Sequence, residues 1–161
     1  MNNAVGVSPV LEMLRREILV GLGTDGMSSD MPAQMCCAYL LHRLAARDSR
    51  VGFCDALQQL LDNNAAIANR LFGCPRLGEL SVGAGADLAI LDDVPPTSLT
   101  AQNSLGHLIF GMVEATVDTT VASGQALMEG KEIRSLDVER IMARSRALAA
   151  GLWGRIHSRR R

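Results

Sequence analysis

Ile18-Leu19-Val20-Gly21-Leu22-Gly23 is a continuous apolar run of strand length that passes directly into the polar Thr24-Asp25-Gly26. A run without alternation reads as a strand buried on both faces, as in a parallel sheet covered by helices. Asp25 then stands just past the strand's carboxyl end. In barrels of alternating strands and helices that rim is where active sites are built, so this aspartate is a candidate for chemistry as well as for capping a turn. Gly21, Gly23 and Gly26 also spell the GxGxxG of a dinucleotide site. Asp25, however, would put a negative charge inside the loop meant to wrap a pyrophosphate, and Ser28-Ser29-Asp30 delays the next helix beyond where the phosphates should lie. The downstream acidic residue, Asp48, falls in the polar Arg47-Asp48-Ser49-Arg50 stretch and not at a strand end. The nucleotide reading therefore fails its confirmations.

Working outward from that strand, Ser8-Pro9 reads as an N-cap and first helical proline, opening a short helix through Arg16. On the other side, Asp30 with Pro32 marks the start of a helix running to about Arg47. Helix, strand, loop and helix in that order form part of an α/β repeat. A second helical region from Asp55 to Phe72 carries Leu57, Leu60, Leu61, Ala65, Ala68 and Leu71, with a break expected near Asn63-Asn64 and termination at Gly73 and Pro75.

Beyond Leu77 the period becomes strand-like. Glu79 to Val82 and Asp87 to Leu91 read as short strands around Gly83-Ala84-Gly85, and Val117 to Val121 pairs with Gln125 to Met128 across Ser123-Gly124. Ser104 to Met112 reads as a short helix after the Pro95-Pro96 loop. Ser135 is expected to cap a last helix whose Val138, Ile141, Met142, Leu148, Leu152, Trp153 and Ile156 form an apolar stripe that must dock on something. The expected organisation is therefore 1–76 for the α/β part, 77–134 for a small antiparallel sheet and 135–161 for the terminal helix.

Composition bounds the function classes. The chain of 161 residues is 48% hydrophobic, enough for a sizeable core. Lys plus Arg number 16 against 17 Asp plus Glu, so no global basic field gathers nucleic acid or an acidic membrane surface. Arg159, Arg160 and Arg161 read as a solvated tail. No apolar run reaches the length of a membrane span and the start lacks a basic leader, which places the expected location in the cytoplasm. Cys36, Cys37, Cys54 and Cys74 make no CxxC pair and are expected to be buried free thiols.

Asn2-Asn3-Ala4-Val5-Gly6-Val7-Ser8-Pro9, the loop GLGTDGMSSDM after the strand, LLDNNAAIANRLFG, GADLAILDDVPPTSLTAQN, GHLIFGM and VDTTVASGQALMEGKEI occur in one order along nearly the whole chain. In that order they resemble the carboxy-terminal part of the amidohydrolase superfamily, in its cytosine-deaminase and chlorohydrolase branch and nearest to SsnA-type aminohydrolases. The resemblance implies the last strand and helices of a TIM-like (β/α)8 barrel, an antiparallel β-sandwich portion and a carboxy-terminal helix. It also implies that Asp25 matches the family's last-strand aspartate, a metal ligand that handles the proton of the hydrolytic water. The implied cofactor is a divalent metal, zinc or iron, and the implied substrate is a small molecule with a non-peptide carbon–nitrogen bond.

The sequence departs from that pattern in two respects. His42, His107 and His157 are its only histidines, and none forms the HxH pair that the resemblance calls for. The family's mid-barrel glutamate has no counterpart either. A full barrel takes roughly 250 residues, so the expected partner is the missing amino-terminal barrel portion or a second copy of the chain, and this chain alone is expected to bind no metal and to be inactive. A decayed or accessory subunit with a packing role is the alternative. Thr24, Met27 and Asp30 flank Asp25 and could face substrate.

Overall fold

The computed structural model describes residues 5–26, 28–73 and 76–159. The expectations for Met27, Cys74, Pro75, Arg160 and Arg161 therefore lie outside the described residues. The first helix, α1 (Val10–Arg15), starts one residue later than expected: Pro9, and not Ser8, occupies the N-cap position and makes no side-chain cap.

Ile18–Gly23 belongs to no sheet among the described residues, so the segment expected to be a barrel strand is unpaired on both edges. A strand is made by its neighbours, and no described segment lies alongside to form a ladder. One edge of its backbone is instead taken by side chains. Asn63 Nδ2 donates to the Val20 carbonyl at 2.7 Å. The Leu22 N–H donates to Asn64 Oδ1 at 2.9 Å, and Asn64 Nδ2 donates to the Leu22 carbonyl at 3.1 Å.

α2 (Met31–Ala46) has the expected boundaries. The Asp30 carboxylate accepts from the Ala33 N–H at 2.9 Å, Pro32 sits in the first turn where its missing N–H is harmless, and Arg47 closes the helix in the left-handed region. α3 (Phe53–Gln58) and α4 (Asn64–Phe72) form one continuous helix through a π-helical turn, Gln59–Asn63. The break expected at Asn63-Asn64 is thus a change of helical phase and not an interruption. Gly73 ends α4 at φ +59°, the left-handed C-terminal position that glycine fills without a Cβ penalty.

The core is small. Met35, Ala38 and Tyr39 of α2 meet Ala56 and Leu57 of α3 and Ile109 from the segment between the strands, with Leu22, Phe53, Leu60 and Leu108 packed around them. Tyr39, Phe53 and Phe110 hold one another: Tyr39 meets Phe110 edge-on at 5.5 Å and Phe53 stacks on Phe110 at 5.9 Å, the offset and T-shaped geometries that ring quadrupoles favour. The Arg43 guanidinium lies over the Tyr39 ring at 4.9 Å and bonds its hydroxyl. Of the thiols expected to be buried, Cys36 and Cys37 are half-buried and Cys54 is exposed, because Cys54 falls on the outer side of the first turn of α3.

The remaining strands form one four-stranded antiparallel sheet in the order β1 (Leu88–Asp92), β2 (Thr116–Ala122), β3 (Gln125–Glu129), β4 (Glu132–Ile133). Ser123 and Gly124 both have positive φ, as do Gly130 and Lys131, so both hairpins turn through the mirror-image geometry whose twist matches the strands. Ala122 pairs with Gln125 and Val121 with Ala126, as the sequence suggested; β4 was not anticipated. The Lys131 ammonium ties the second turn to Asp92 at 2.6 Å. Glu79–Val82 forms turns and no strand. Its Leu80 and Val82 are 86% and 99% exposed, so the alternation that suggested a strand has no partner face to bury against. Ser104–Gly106 (α5) continues through a π turn and a short 3₁₀ turn to Glu114, as expected for a helix in that loop.

The last helix, α6 (Val138–Arg159), is capped by Asp137, whose carboxylate accepts from the Arg140 N–H at 2.9 Å. Ser135 therefore is not the cap. The apolar stripe lies open: Leu148 is 65% and Trp153 58% exposed. Docking of this stripe, expected from its periodicity, is not met by any surface among the described residues. The sizeable core expected from composition is not formed either, because large apolar side chains of α6 and the sheet, such as Ile141, Leu152, Ile90 and Leu127, remain exposed among the described residues.

Candidate functional site

The extended segment delivers Asp25 to an open rim. Thr24 is half-buried and its hydroxyl lies 3.5 Å from the Asp25 carbonyl. Asp25 itself is exposed, and its backbone has φ +52°. That region is uncommon for a residue with a Cβ, although Asp tolerates it better than most. Among the described residues the Asp25 carboxylate has no hydrogen-bond or ion-pair partner. Asp30, another flanking candidate, uses its side chain to cap α2, which turns it away from chemistry.

A cavity of about 580 Å³ opens beside Gly21, Leu22 and Gly23, with Cys37, Leu41 and His42 of α2 on its opposite wall. Asp25 does not line it. The Asp25 carboxylate and the concave space therefore lie at different places along the same segment, and no described residue walls in the rim around Asp25.

The residues present do not fit a metal ion on their own. No cluster of three or more His, Cys, Asp or Glu that could hold one occurs among the described residues. A zinc site needs three or four protein ligands, and the expected ligand Asp25 would be one at most. The histidines are engaged elsewhere. His107 Nε2 is 3.1 Å from the Thr97 hydroxyl and His157 Nδ1 is 2.8 Å from the Trp153 carbonyl.

His42 is 5% exposed and its Nε2 lies 3.0 Å from Gln59 Nε2, which also donates to the Asp55 carbonyl at 3.1 Å. A donor at that position assigns the neutral imidazole with its proton on Nδ1. Burial pushes the His42 pKa below its ordinary 6.5, with the Asp55 carboxylate opposing the shift. The unfolded chain then binds a proton more readily than the folded one. Stability is expected to be level above pH 6.5 and to fall as pH drops through 6.5 toward the lowered folded value. Urea unfolding at a series of pH values checks this; His42→Gln should flatten that part of the profile, and an unchanged slope would remove His42 as its cause.

The amidohydrolase family profile matches residues 1–127. The chain belongs to the amidohydrolase family. This amidohydrolase chain is similar to the 5-methylthioadenosine/S-adenosylhomocysteine deaminase of Pelotomaculum thermopropionicum, 33% identical over 159 residues that make up 96% of this chain and 36% of that protein. The enzyme of the same name from Dictyoglomus thermophilum is 35% identical over 144 residues, 86% of this chain and 33% of that one. Among solved structures, an adenosine deaminase from Xanthomonas campestris with bound zinc shares the fold at TM-score 0.76 and 22% identity, over 94% of this chain and 35% of that one. The atrazine chlorohydrolase from Arthrobacter aurescens complexed with zinc superimposes at TM-score 0.66 and 26% identity, over 89% of this chain and 32% of that one. This amidohydrolase chain thus spans about a third of the length of the relatives that it matches, in their carboxy-terminal part. No helix among the described residues is long and apolar enough to cross a membrane.

What the sequence marked as a helix break, and not as part of the site, is the Asn63-Asn64 pair. Two adjacent asparagines inside a helix are a recognisable signal, since Asn is a poor helix former and its amide seeks backbone partners. They suggested a break, when their side chains in fact reach across to the segment that carries Asp25.

Proposed function

We propose that this chain supplies one wall, with its reacting carboxylate, of a metal-dependent amidohydrolase that hydrolyses a non-peptide carbon–nitrogen bond in a small amino-substituted heterocycle. The observation that supports it is Asp25: an unpartnered carboxylate in left-handed backbone geometry, displayed at the end of an extended apolar segment in a chain of this family. A carboxylate there is a hard oxygen donor and, near neutral pH, a proton acceptor, the two properties that hydrolytic deamination asks of a residue at that rim.

The similar proteins are named as deaminases and a chlorohydrolase, two of them with zinc, which favours zinc as the metal of the completed site. Residues 1–76 are then the closing part of a (β/α)8 barrel, 77–134 part of a β-sandwich domain, and 135–161 a terminal helix packed on the completed body. The remaining metal ligands come from outside these residues.

Zinc titration tests the reading. The chain alone is expected to show no tight stoichiometric site. Paired with the amino-terminal remainder of the Pelotomaculum relative, it is expected to complete one that weakens on Asp25→Ala. A tight stoichiometric site in the chain alone, or one in the pair indifferent to Asp25→Ala, contradicts the proposal.

A further inference from the structure

The segment that ends at Asp25 is held by side chains where a barrel strand would be held by a neighbouring strand. Asn64 behaves as a peptide group would: its amide oxygen accepts from the N–H of Leu22 and its amide nitrogen donates to the carbonyl of the same residue. Asn63 adds a third bond at Val20 along the same edge, since alternate residues of an extended chain turn their polar groups to one side. Both asparagines flank the end of the π turn at Gln59–Asn63, and such turns recur where a helix must aim particular side chains.

Gly21 makes the contact possible. A Cβ there would lie 2.1 Å from Asn64 Oδ1 and 3.0 Å from Ile67 Cδ1, so any larger residue expels the asparagine amide. Leu22 is the last residue bonded on this edge before Asp25; of the two residues between them Gly23 is exposed with open space around it and Thr24 is half-buried, so among the described residues no later bond on this edge fixes where Asp25 sits. Slack at Leu22 is therefore passed on to the carboxylate.

We propose that Asn63 and Asn64, admitted by the gap at Gly21, are positioning residues that set the place and backbone geometry of Asp25. This rests on the function proposed above for its meaning in catalysis, but not for its physical test. A misplacement of about 1 Å at a reacting group can cost on the order of 100-fold in rate, so small losses at this clamp matter.

The chain contains a matched control. Asn69 clamps Leu77 in the same bidentate manner, accepting from its N–H at 2.8 Å and donating to its carbonyl at 3.1 Å, but far along the chain from Asp25. Nuclear magnetic resonance of the full isotope-labelled chain reads both clamps. Asn64→Ala is expected to unprotect the Leu22 amide against hydrogen exchange and to shift the Asp25 amide and its φ-dependent coupling. Gly21→Ala should do the same with Asn64 present and add little in the Asn64→Ala background. Asn64→Asp, which keeps the acceptor for the Leu22 N–H, should restore part of the Asp25 signature, whereas Asn69→Ala should leave it unmoved.

If the Asp25 signals are unchanged by Asn64→Ala, if Asn69→Ala moves them equally, or if the Gly21 and Asn64 effects simply add, the assignment is overturned. In the completed enzyme the same Asn64→Ala change is expected to lower kcat by 10- to 100-fold, as an order-of-magnitude figure, with KM little altered. An unaltered kcat also overturns it. Absence of turnover in the unmutated pair would count against the proposed function alone, since the exchange and coupling measurements do not depend on it.

Discussion

Asp25→Gly in the completed enzyme is expected to lower deamination by about 10³-fold or more while leaving the chain as stable as before or more so by up to ~1 kcal/mol. The two effects have separate physical origins. Asp25 holds φ at +52°, where a Cβ meets steric opposition that glycine escapes. The extra freedom of glycine in the unfolded chain offsets part of that gain, by roughly 0.5–1 kcal/mol. The carboxylate has no partner among the described residues, so its removal breaks no contact that holds the fold. A residue kept for structure loses stability when deleted; one kept for chemistry loses only rate. Urea midpoints and ammonia release on the same preparations separate the cases, and a clear fall in stability with activity retained would assign Asp25 to the fold.

Met35→Ala is expected to destabilise the chain by about 3 kcal/mol, the largest single stability loss considered. Met35 is fully buried at the junction of α2, α3 and the Ile109 segment, and few other side chains share that burial. Domain stabilities are only about 5–15 kcal/mol, so a core this small has little reserve against a cavity. Leu148→Ala on α6, where the side chain is 65% exposed, should cost less than about 0.5 kcal/mol in the chain alone. Denaturant titration measures both; equal effects would mean that α6 is packed in solution against a second copy, an outcome that its open stripe permits.

The contrast between those residues also shows what was readable in the sequence. Elements defined by local chemistry were legible: Asp30 and Pro32 announced α2, Gly73 ended α4, and Ser123-Gly124 turned the β2–β3 hairpin, because caps and turns are decided by a few adjacent residues. Elements defined by distant partners were not. Ile18–Gly23 has the composition of a barrel strand and adopts extended backbone, yet it forms no ladder. Leu80 and Val82 alternate like a strand and sit in solvent for the same reason. The candidate site followed this rule. Asp25 is a candidate by its place after an apolar run and by family resemblance, whereas Asn64 lies 42 residues from Leu22 in sequence and its contact becomes visible only when the helix and the segment are seen side by side.

On the function proposed above, Asp25 belongs to an active centre that this chain shares with residues outside it. The most direct test is ammonia release from an adenosine-type substrate by the zinc-supplemented chain, alone and with the amino-terminal remainder of the Pelotomaculum relative, each with and without Asp25→Asn. Release is expected only from the pair, and is expected to be lost on Asp25→Asn. Release from the chain alone, or from a pair that works equally well with asparagine at this position, would contradict it.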